Sequence, residues 1–285
     1  MKSPHTLLRE LMATAPFQPA TNLWRAVELD AVQRHGLPAG RGLDLGCGDG
    51  KLTRITLDAL GPAARGITWV GVDIDPAETA LAQASGLYQA VHTGSAAAIP
   101  EADGSFDFVF SNSVLEHIGP IDAVLAEASR LLRPGGRFVF TVPGPDFHTC
   151  LAGPALGGDR AAYERELDTR CAHLRYWSAD EWRQHLGAVG LVPQVVTPYL
   201  SQRQVQRWER LSALTGGLAY RVFGRQARPI EIQRRFRLRS DRVGLAGQLG
   251  AAGAGLFALG CPLQADDPAR LHGCLLVDAV KPAAA

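Results

Sequence analysis

The sequence is poor in cysteine, has little net charge, and lacks a long apolar run near its start. Its five cysteines form no Cys-x-x-Cys pair and their number is odd, which argues against a zinc ribbon or a disulfide framework. A net charge of +1 argues against a nucleic-acid binder, which would carry a marked basic excess. Charges and prolines interrupt MKSPHTLLRELMATAPF before any stretch long enough for a signal peptide. We therefore expect a globular, cytoplasmic protein, and its abundance of Ala, Gly and Arg is typical of a bacterial source.

Short apolar runs alternate with helical segments along much of the chain. The pattern predicts strands at residues 42–45, 67–74, 89–93, 106–112, 137–143, 192–200 and 273–280, and helices at 21–35, 52–60, 77–84, 120–132 and 178–190, with a turn at RPGG. Such alternation is typical of a doubly wound α/β fold. In that fold, ligands bind at the carboxyl ends of mostly parallel strands.

A glycine-rich segment, LDLGCGDGKLT, follows the first predicted strand and leads into a helix. Glycine lets the backbone approach a ligand, and a helix start offers free N–H groups, so the arrangement suits a nucleotide. A dinucleotide-binding loop reads G-x-G-x-x-G. Here Gly46, Gly48 and Gly50 read G-x-G-x-G, and Lys51 stands where the third glycine belongs.

The acidic residues around this segment narrow the choice of ligand. Asp44 and Asp49 would repel a pyrophosphate but suit a ligand that carries an ammonium and a sulfonium. At the end of the second strand, Asp73 can accept hydrogen bonds from both ribose hydroxyls, and Ile74 beside it can cover one face of adenine. These features indicate S-adenosylmethionine.

With LDLGCGDG, VGVDIDPA, FDFVFSNSVLEHI and EASRLLRPGGRFVFTVP in this order, the sequence resembles the class I S-adenosylmethionine-dependent methyltransferases. The resemblance is to the small-molecule type, which includes quinone-biosynthesis and natural-product enzymes. It covers residues 39–143, extends to 200 and resumes at 273. It implies a Rossmann-like sheet of seven mostly parallel strands whose last strand is antiparallel. The long separation of the last two predicted strands indicates a helical insertion between them.

The same resemblance implies which residues bind S-adenosylmethionine, whose product is S-adenosylhomocysteine. They are Asp44, Gly46, Cys47, Gly48 and Gly50 around the methionine moiety, Asp73 at the ribose, Ile74, Ser95 and Ala96 near the adenine, and Asn112 beside the methionine end. Many relatives carry an aspartate where this chain has Ser95. Serine still accepts a hydrogen bond from the adenine amino group, although more weakly than a charged group.

Methyl transfer from a sulfonium depends mainly on positioning the acceptor, and a base is needed only if the acceptor must lose a proton. Histidine titrates near neutrality, so His117, His148 and His173 are the candidate catalytic bases. Each of them could instead order a loop, and Glu116 is given a structural role. No cluster of residues has metal-site spacing, so no metal is predicted.

The predicted organisation has an N-terminal helical segment at 1–36, a methyltransferase core at 37–200 and 271–285, and a helical insertion at 201–270. Residues 201–242 contain eleven arginines and three acids, and residues 243–265 contain no charge but six glycines and two glutamines. Three interpretations stay open. The insertion packs on the core or on a second subunit in a homodimer, docks through 201–265 on the inner face of an anionic membrane, or binds an anionic acceptor.

We therefore expect methyl transfer to an oxygen, nitrogen or carbon of a small, lipid-linked or glycan-linked metabolite, with no nucleic-acid partner. The alternatives are an RNA or protein methyltransferase, or a protein that binds S-adenosylmethionine without catalysis. A nicotinamide-dependent reductase is a more distant alternative. SNSV follows the fourth strand in place of an N-P-P-Y motif, which argues against adenine N6 as the acceptor.

Overall fold

A seven-stranded sheet forms the centre of the computed structural model, which describes residues 1–154, 157–215, 244–264 and 270–283. The strands are β1 Gly40–Leu45, β2 Ile67–Asp73, β3 Tyr88–Thr93, β4 Phe106–Asn112, β5 Leu132–Pro143, β6 Val192–Ser201 and β7 His272–Val280. Their order is β3-β2-β1-β4-β5-β7-β6, and β7 runs antiparallel to both of its neighbours. The predicted fold class, seven-stranded sheet and antiparallel last strand are confirmed.

Helices cover both faces of this sheet. They are α1 Pro4–Thr14, α2 Pro19–His35, α3 Lys51–Leu60, α4 Pro76–Ala84, α5 Ile121–Leu131, α6 Phe147–Cys150, α7 Arg160–Cys171, α8 Ala179–Ala188, α9 Gln202–Leu214 and α10 Leu245–Phe257. Two short 3-10 turns lie at Gly61–Ala64 and Leu115–His117. Ser178 and Glu181 form a capping box at the start of α8, as the sequence SADE predicts.

The RPGG segment, predicted as a turn, lies inside β5 instead. Phe106 pairs with Leu132, but Phe108 pairs with Arg137, so the extra residues of β5 bulge out of the ladder. Gly135 has a φ of +76°, which lets the backbone bend there without a steric penalty. The strand therefore starts five residues earlier than the apolar run suggests.

Large apolar side chains fill the space on each face of the sheet. On one face, Trp69 packs edge-on against Phe108, with ring centroids 5.1 Å apart, in a cluster shared with α1 and α2. On the other face, Phe140 packs against Trp182 of α8 at 4.7 Å. Since neighbouring strand residues point to opposite faces, the near-continuous apolar runs of the sequence supply both clusters.

The described parts of the predicted insertion pack against the N-terminal helices. Val205 and Trp208 of α9 are buried in the same apolar cluster as α2. Arg207 of α9 donates hydrogen bonds to two carbonyl oxygens at the end of α10, those of Leu256 and Phe257, at 2.8 and 2.6 Å. This arginine therefore links two helices of the protein.

Much of the arginine-rich stretch lies outside the described residues. Of its eleven arginines, the described residues include Arg203, Arg207 and Arg210, and the other eight fall within 216–243. Within the described ranges, no helix combines the length and apolar character that crossing a membrane requires.

We predict that Gly250→Ala destabilises the contact between α10 and α1. A Cβ at Gly250 would lie 2.8 Å from the carbonyl oxygen of Met12, whereas a Cβ at Gly253 in the same helix would meet nothing within 4 Å. Gly253→Ala, the matched control, should raise the free energy of unfolding by about 1 kcal/mol, since Ala is the better helix former. Chemical denaturation measures both variants. Equal stabilisation by the two substitutions would contradict this packing.

Candidate functional site

The loop between β1 and α3 is shaped by three glycines in the left-handed region. The φ angles of Gly46, Gly48 and Gly50 are +82°, +53° and +77°. A Cβ on Gly46 would lie 2.5 Å from a methyl group of Val114, and one on Gly50 would lie 2.9 Å from the ring of Tyr88. Side chains at these two positions are therefore excluded by both conformation and space, and the loop offers its bare backbone.

Asp73, at the end of β2, holds this loop from the side. Its carboxylate accepts hydrogen bonds from the backbone N–H groups of Gly48, at 3.0 Å, and Asp75, at 2.9 Å. Each carboxylate oxygen keeps a further lone pair for a ligand. Ile74 beside it is an exposed apolar side chain, 77% accessible. A polar acceptor next to an open apolar surface fits a ribose and an adenine, so the predicted roles of both residues are compatible with the structure.

Asp44 is buried and bound by protein groups. One carboxylate oxygen accepts hydrogen bonds from the hydroxyls of Thr53, at 2.5 Å, and Tyr88, at 2.6 Å. Burial raises the pKa of Asp44 to about 6 despite these two donors. Asp49 instead accepts from the backbone N–H of Lys51 at 3.1 Å and pairs with its ammonium. The side chain of Asp44 thus joins β1 to α3 and β3.

Three other predicted cofactor residues lie around the same loops. Ser95 is exposed after β3, and its hydroxyl accepts from the backbone N–H of Ala97 at 3.2 Å. Ala96 is half-buried against the apolar cluster that contains β4. Cys47 is buried with its sulfur towards Gly71, where a Cβ would lie 2.9 Å away, and burial raises the pKa of this thiol. The thiol is thus protonated at neutral pH.

The side chain of Asn112, at the end of β4, is held by neighbouring protein groups. With its amide nitrogen towards Glu28, it lies 2.8 Å from both carboxylate oxygens and 2.7 Å from the hydroxyl of Thr141. An amide oxygen in that position would be repelled by the carboxylate, so the nitrogen faces it. Asn112 therefore ends β4, and its amide is engaged within the protein.

Glu28, on α2, is a central residue that the sequence analysis missed. It is fully buried, accepts hydrogen bonds from the hydroxyls of Ser113, at 2.5 Å, and Tyr199, at 2.9 Å, and forms an ion pair with Arg25. A signal was present, because Glu28 follows Trp24 by four residues and so lies on the apolar face of the predicted helix. A charge on such a face indicates a buried polar network.

The three candidate histidines belong to one cluster, in which His148 and His173 contact Tyr176 and His117 contacts His173. The rings of His148 and His173 lie 4.4 and 5.6 Å from the tyrosine ring, and His117 lies 5.4 Å from His173. Phe147 stacks on Tyr176 at 5.5 Å. Residues that lie far apart in the sequence therefore form one aromatic cluster.

Hydrogen bonds distinguish the histidines of this cluster. His148 lies 2.8 Å from a carboxylate oxygen of Asp168, which also accepts from the hydroxyl of Tyr176 at 2.5 Å. His173 Nδ1 lies 3.0 Å from the same hydroxyl. Burial lowers the pKa of His173 to about 3, so this histidine is neutral and a weak base at physiological pH. His148, with its carboxylate partner, is the better placed candidate base.

Glu116 joins this cluster from the other side. It is 1% exposed, and its Oε2 has no hydrogen-bond partner among the described residues. Burial raises the pKa of Glu116 to about 8. His117 Nε2 lies 3.8 Å from Oε1 of Glu116, and burial lowers the pKa of this histidine too. His173 follows α7, far along the chain from Glu116 and His117, so no local pattern predicts that the three side chains lie close together.

Part of the chain is similar in sequence to known methyltransferases. Residues 43–140 match the model of the methyltransferase domain family. An uncharacterized 37.1 kDa protein in a transposon of Streptomyces fradiae is 35% identical over 180 residues, which cover 62% of this chain and 50% of that protein. A malonyl-[acyl-carrier protein] O-methyltransferase of Methylococcus capsulatus is 34% identical over 125 residues, which cover 41% of this chain and 42% of that protein. The chain thus spans about half or less of the length of these relatives.

A solved structure shows the same fold. A methyltransferase of Thermotoga maritima, titled a possible histamine N-methyltransferase, superposes with a TM-score of 0.54 at 18% identity, over 95% of this chain and 93% of that one. At this identity the likeness establishes the fold alone.

We predict that Asp44→Asn changes how stability depends on pH. The carboxyl pKa of Asp44 rises from 3.8 to about 6 on folding. Ionisation of Asp44 therefore lowers the free energy of unfolding. This loss is absent below pH 4, grows between pH 4 and 6, and reaches up to about 3 kcal/mol at higher pH. The free energies of unfolding of the wild type and Asp44→Asn are measured from pH 4 to 8. Between pH 4 and 6 the variant should become increasingly more stable than the wild type. A constant difference would contradict it.

Proposed function

We propose that this chain, which contains a class I S-adenosylmethionine-dependent methyltransferase domain, transfers a methyl group from S-adenosylmethionine to an acceptor metabolite. The observation that carries the proposal is the left-handed glycine loop after β1, held by Asp73 beside an exposed Ile74. When bound, S-adenosylmethionine supplies an electrophilic methyl group on its sulfonium. The protein then has to hold the donor and to orient the acceptor in line with that methyl group.

Within this proposal, each part of the loop has a different role. The backbone of residues 46–50 faces the methionine moiety, and Asp44 fixes the loop through Thr53 and Tyr88. Asp73 binds the ribose, and Ile74 covers the adenine. Ser95 accepts from the adenine amino group in the turn after β3. Cys47 and Ala96 contribute packing around these contacts.

The aromatic cluster is the proposed wall of the acceptor pocket. Trp24 and Phe147 lie 5.5 Å apart and are buried, and Phe147 stacks on Tyr176. The more exposed members of the cluster, His117, His148 and Tyr176, would face the acceptor. His148, paired with Asp168, can accept a proton if the acceptor atom carries one. An oxygen, nitrogen or carbon atom of a small or lipid-linked or glycan-linked metabolite suits such a wall. The malonyl-carrier methyltransferase among the relatives supports a small or carrier-linked acceptor.

The acceptor class is tested by incubating the protein with methyl-labelled S-adenosylmethionine and an extract of its source cells. The label is then partitioned between organic, aqueous and acid-precipitable fractions. Label in the organic fraction supports a lipid-linked acceptor, and label in the aqueous fraction supports a soluble metabolite. Label in the precipitate would contradict a free or lipid-linked metabolite as the acceptor and indicate a carrier-protein-linked group, RNA or protein. S-adenosylhomocysteine binding without any labelled product would indicate a binding protein.

We predict that Asp73→Ala weakens binding of S-adenosylhomocysteine by at least about tenfold, because the proposed ribose hydrogen bonds to a charged group are lost. Isothermal titration calorimetry measures the change. Asp180→Asn is the matched control, since Asp180 is an exposed acid on α8 that pairs with Arg183, and it should bind like the wild type.

Asp73→Asn separates loop support from ligand binding. The asparagine oxygen can still accept from the N–H of Gly48 but not also from that of Asp75, so the glycine loop should keep its support while the charge is lost. Its affinity should fall between those of the wild type and Asp73→Ala. Unchanged affinity in both variants would overturn the assigned position of the ribose.

A further inference from the structure

We propose that Glu116, His117 and His173 form a binding site for a divalent first-row transition metal ion. Each residue offers one ligand atom, and the three atoms all lie within 4.8 Å of one another. Metal bonds of about 2.1 Å hold tetrahedral ligand atoms about 3.4 Å apart. Small side-chain rotations would therefore bring the three atoms to bonding distance.

Both histidines are arranged to direct a nitrogen lone pair into the site. His117 Nδ1 lies 2.9 Å from the carbonyl oxygen of Ala172, which accepts only, so Nδ1 carries the proton and Nε2 the lone pair. The hydroxyl of Tyr176 donates to Asp168, so its oxygen is free to accept from Nδ1 of His173. Metal-binding histidines typically donate their second N–H to a carbonyl or another acceptor in this way.

Glu116 supplies an independent observation. The residue is 1% exposed, and its Oε2 has no hydrogen-bond partner among the described residues. Buried polar atoms are nearly always paired, and an orphaned carboxylate oxygen is costly. The other carboxylate oxygen of Glu116, Oε1, lies 3.8 Å from Nε2 of His117. A cation between them would satisfy the group that the protein leaves unpaired.

The charges around the site balance in favour of a cation. Arg25 is paired with Glu28, and the guanidinium of Arg175 donates to the carbonyl oxygens of Leu115 and Ile118. With Glu116 ionised in the metal-bound state, three carboxylates, those of Glu28, Asp168 and Glu116, lie near the two guanidinium groups of Arg25 and Arg175. The local field thus does not oppose a dication.

The ligand atoms and their exposure to solvent indicate which type of metal ion the site would bind. Two imidazole nitrogens and one carboxylate oxygen suit Zn²⁺, Co²⁺ or Fe²⁺, whereas Mg²⁺ prefers oxygen alone. The side chain of His117 is 40% exposed, so the site is reachable from solvent. Val114, three residues before His117, lies against Gly46 of the glycine loop. The site is therefore next to the proposed donor pocket, where an acceptor oxygen or nitrogen could complete the coordination.

Titration with Co²⁺ tests the proposal directly. The full chain is stripped with a chelator under reducing conditions, and Co²⁺ binding is followed by visible absorption and by competition with a chelating dye. We expect one ion per chain and no thiolate-to-metal charge-transfer band. Glu116→Gln, His117→Gln and His173→Gln should each weaken binding by at least about tenfold. Circular dichroism melting checks that each variant is folded, and Glu116→Gln should fold well because it removes a buried carboxyl group.

Two control variants distinguish this site from other ligands. His185 stacks on Trp177 and pairs with Asp122, so His185→Gln should bind Co²⁺ like the wild type. Cys171→Ser should also leave the affinity unchanged. Tyr176→Phe removes the acceptor of the His173 N–H and should lower the affinity about 10-fold to 100-fold.

Two results would overturn the proposal. One is the absence of saturable Co²⁺ binding by the folded wild type, and the other is binding that persists in Glu116→Gln and His117→Gln. Neither depends on methyl transfer. S-adenosylhomocysteine binding, measured on the same preparations, shows separately whether the donor site is intact.

Discussion

The buried carboxylate of Glu28 is the interaction on which the arrangement of the site depends. It joins α2 to the end of β4 through Asn112 and Ser113 and to β6 through Tyr199, three parts of the chain that are distant in sequence. A charge without exposure to water is tolerated here because Arg25 and several hydrogen-bond donors surround it. Removal of one partner would leave that charge uncompensated, so the network favours a single arrangement of the three elements.

That arrangement decides where the chain goes after β4. Ser113 has a φ of +49°, which is rare for a residue with a side chain, and it is held there by its hydrogen bonds to Glu28 and Thr141. The backbone then turns so that Val114 meets Gly46 and Glu116 becomes buried. The shape of the donor loop and the position of the histidine cluster are thus coupled through one turn.

The sequence predicts the sheet well because strand periodicity and glycine positions are local signals. The last strand could be placed antiparallel through the family resemblance, although β7 is separated from β6 by a long insertion. Local patterns carry no information on which side chains meet across the sheet. Asp168 and Glu28 were missed for this reason, and the bulge at Gly135 was read as a turn because glycine serves both conformations. His117, His148 and His173 were predicted as candidate bases, but the ring contacts that join them and Tyr176 in one cluster are a property of the fold.

Three buried acids around the ends of the strands differ in how their charge is compensated. Glu28 has a guanidinium and hydroxyl donors, Asp44 has two hydroxyls, and Glu116 has an oxygen without a partner among the described residues. Glu28 forms a structural ion pair. Burial raises the pKa of the Asp44 carboxyl, because its two hydroxyl donors offset the effect of burial only in part. The third has the least compensation and faces two neutral imidazoles. The least compensated of the three carboxyl groups therefore lies at the edge of the proposed acceptor pocket, where a bound cation would give its unpaired oxygen a partner.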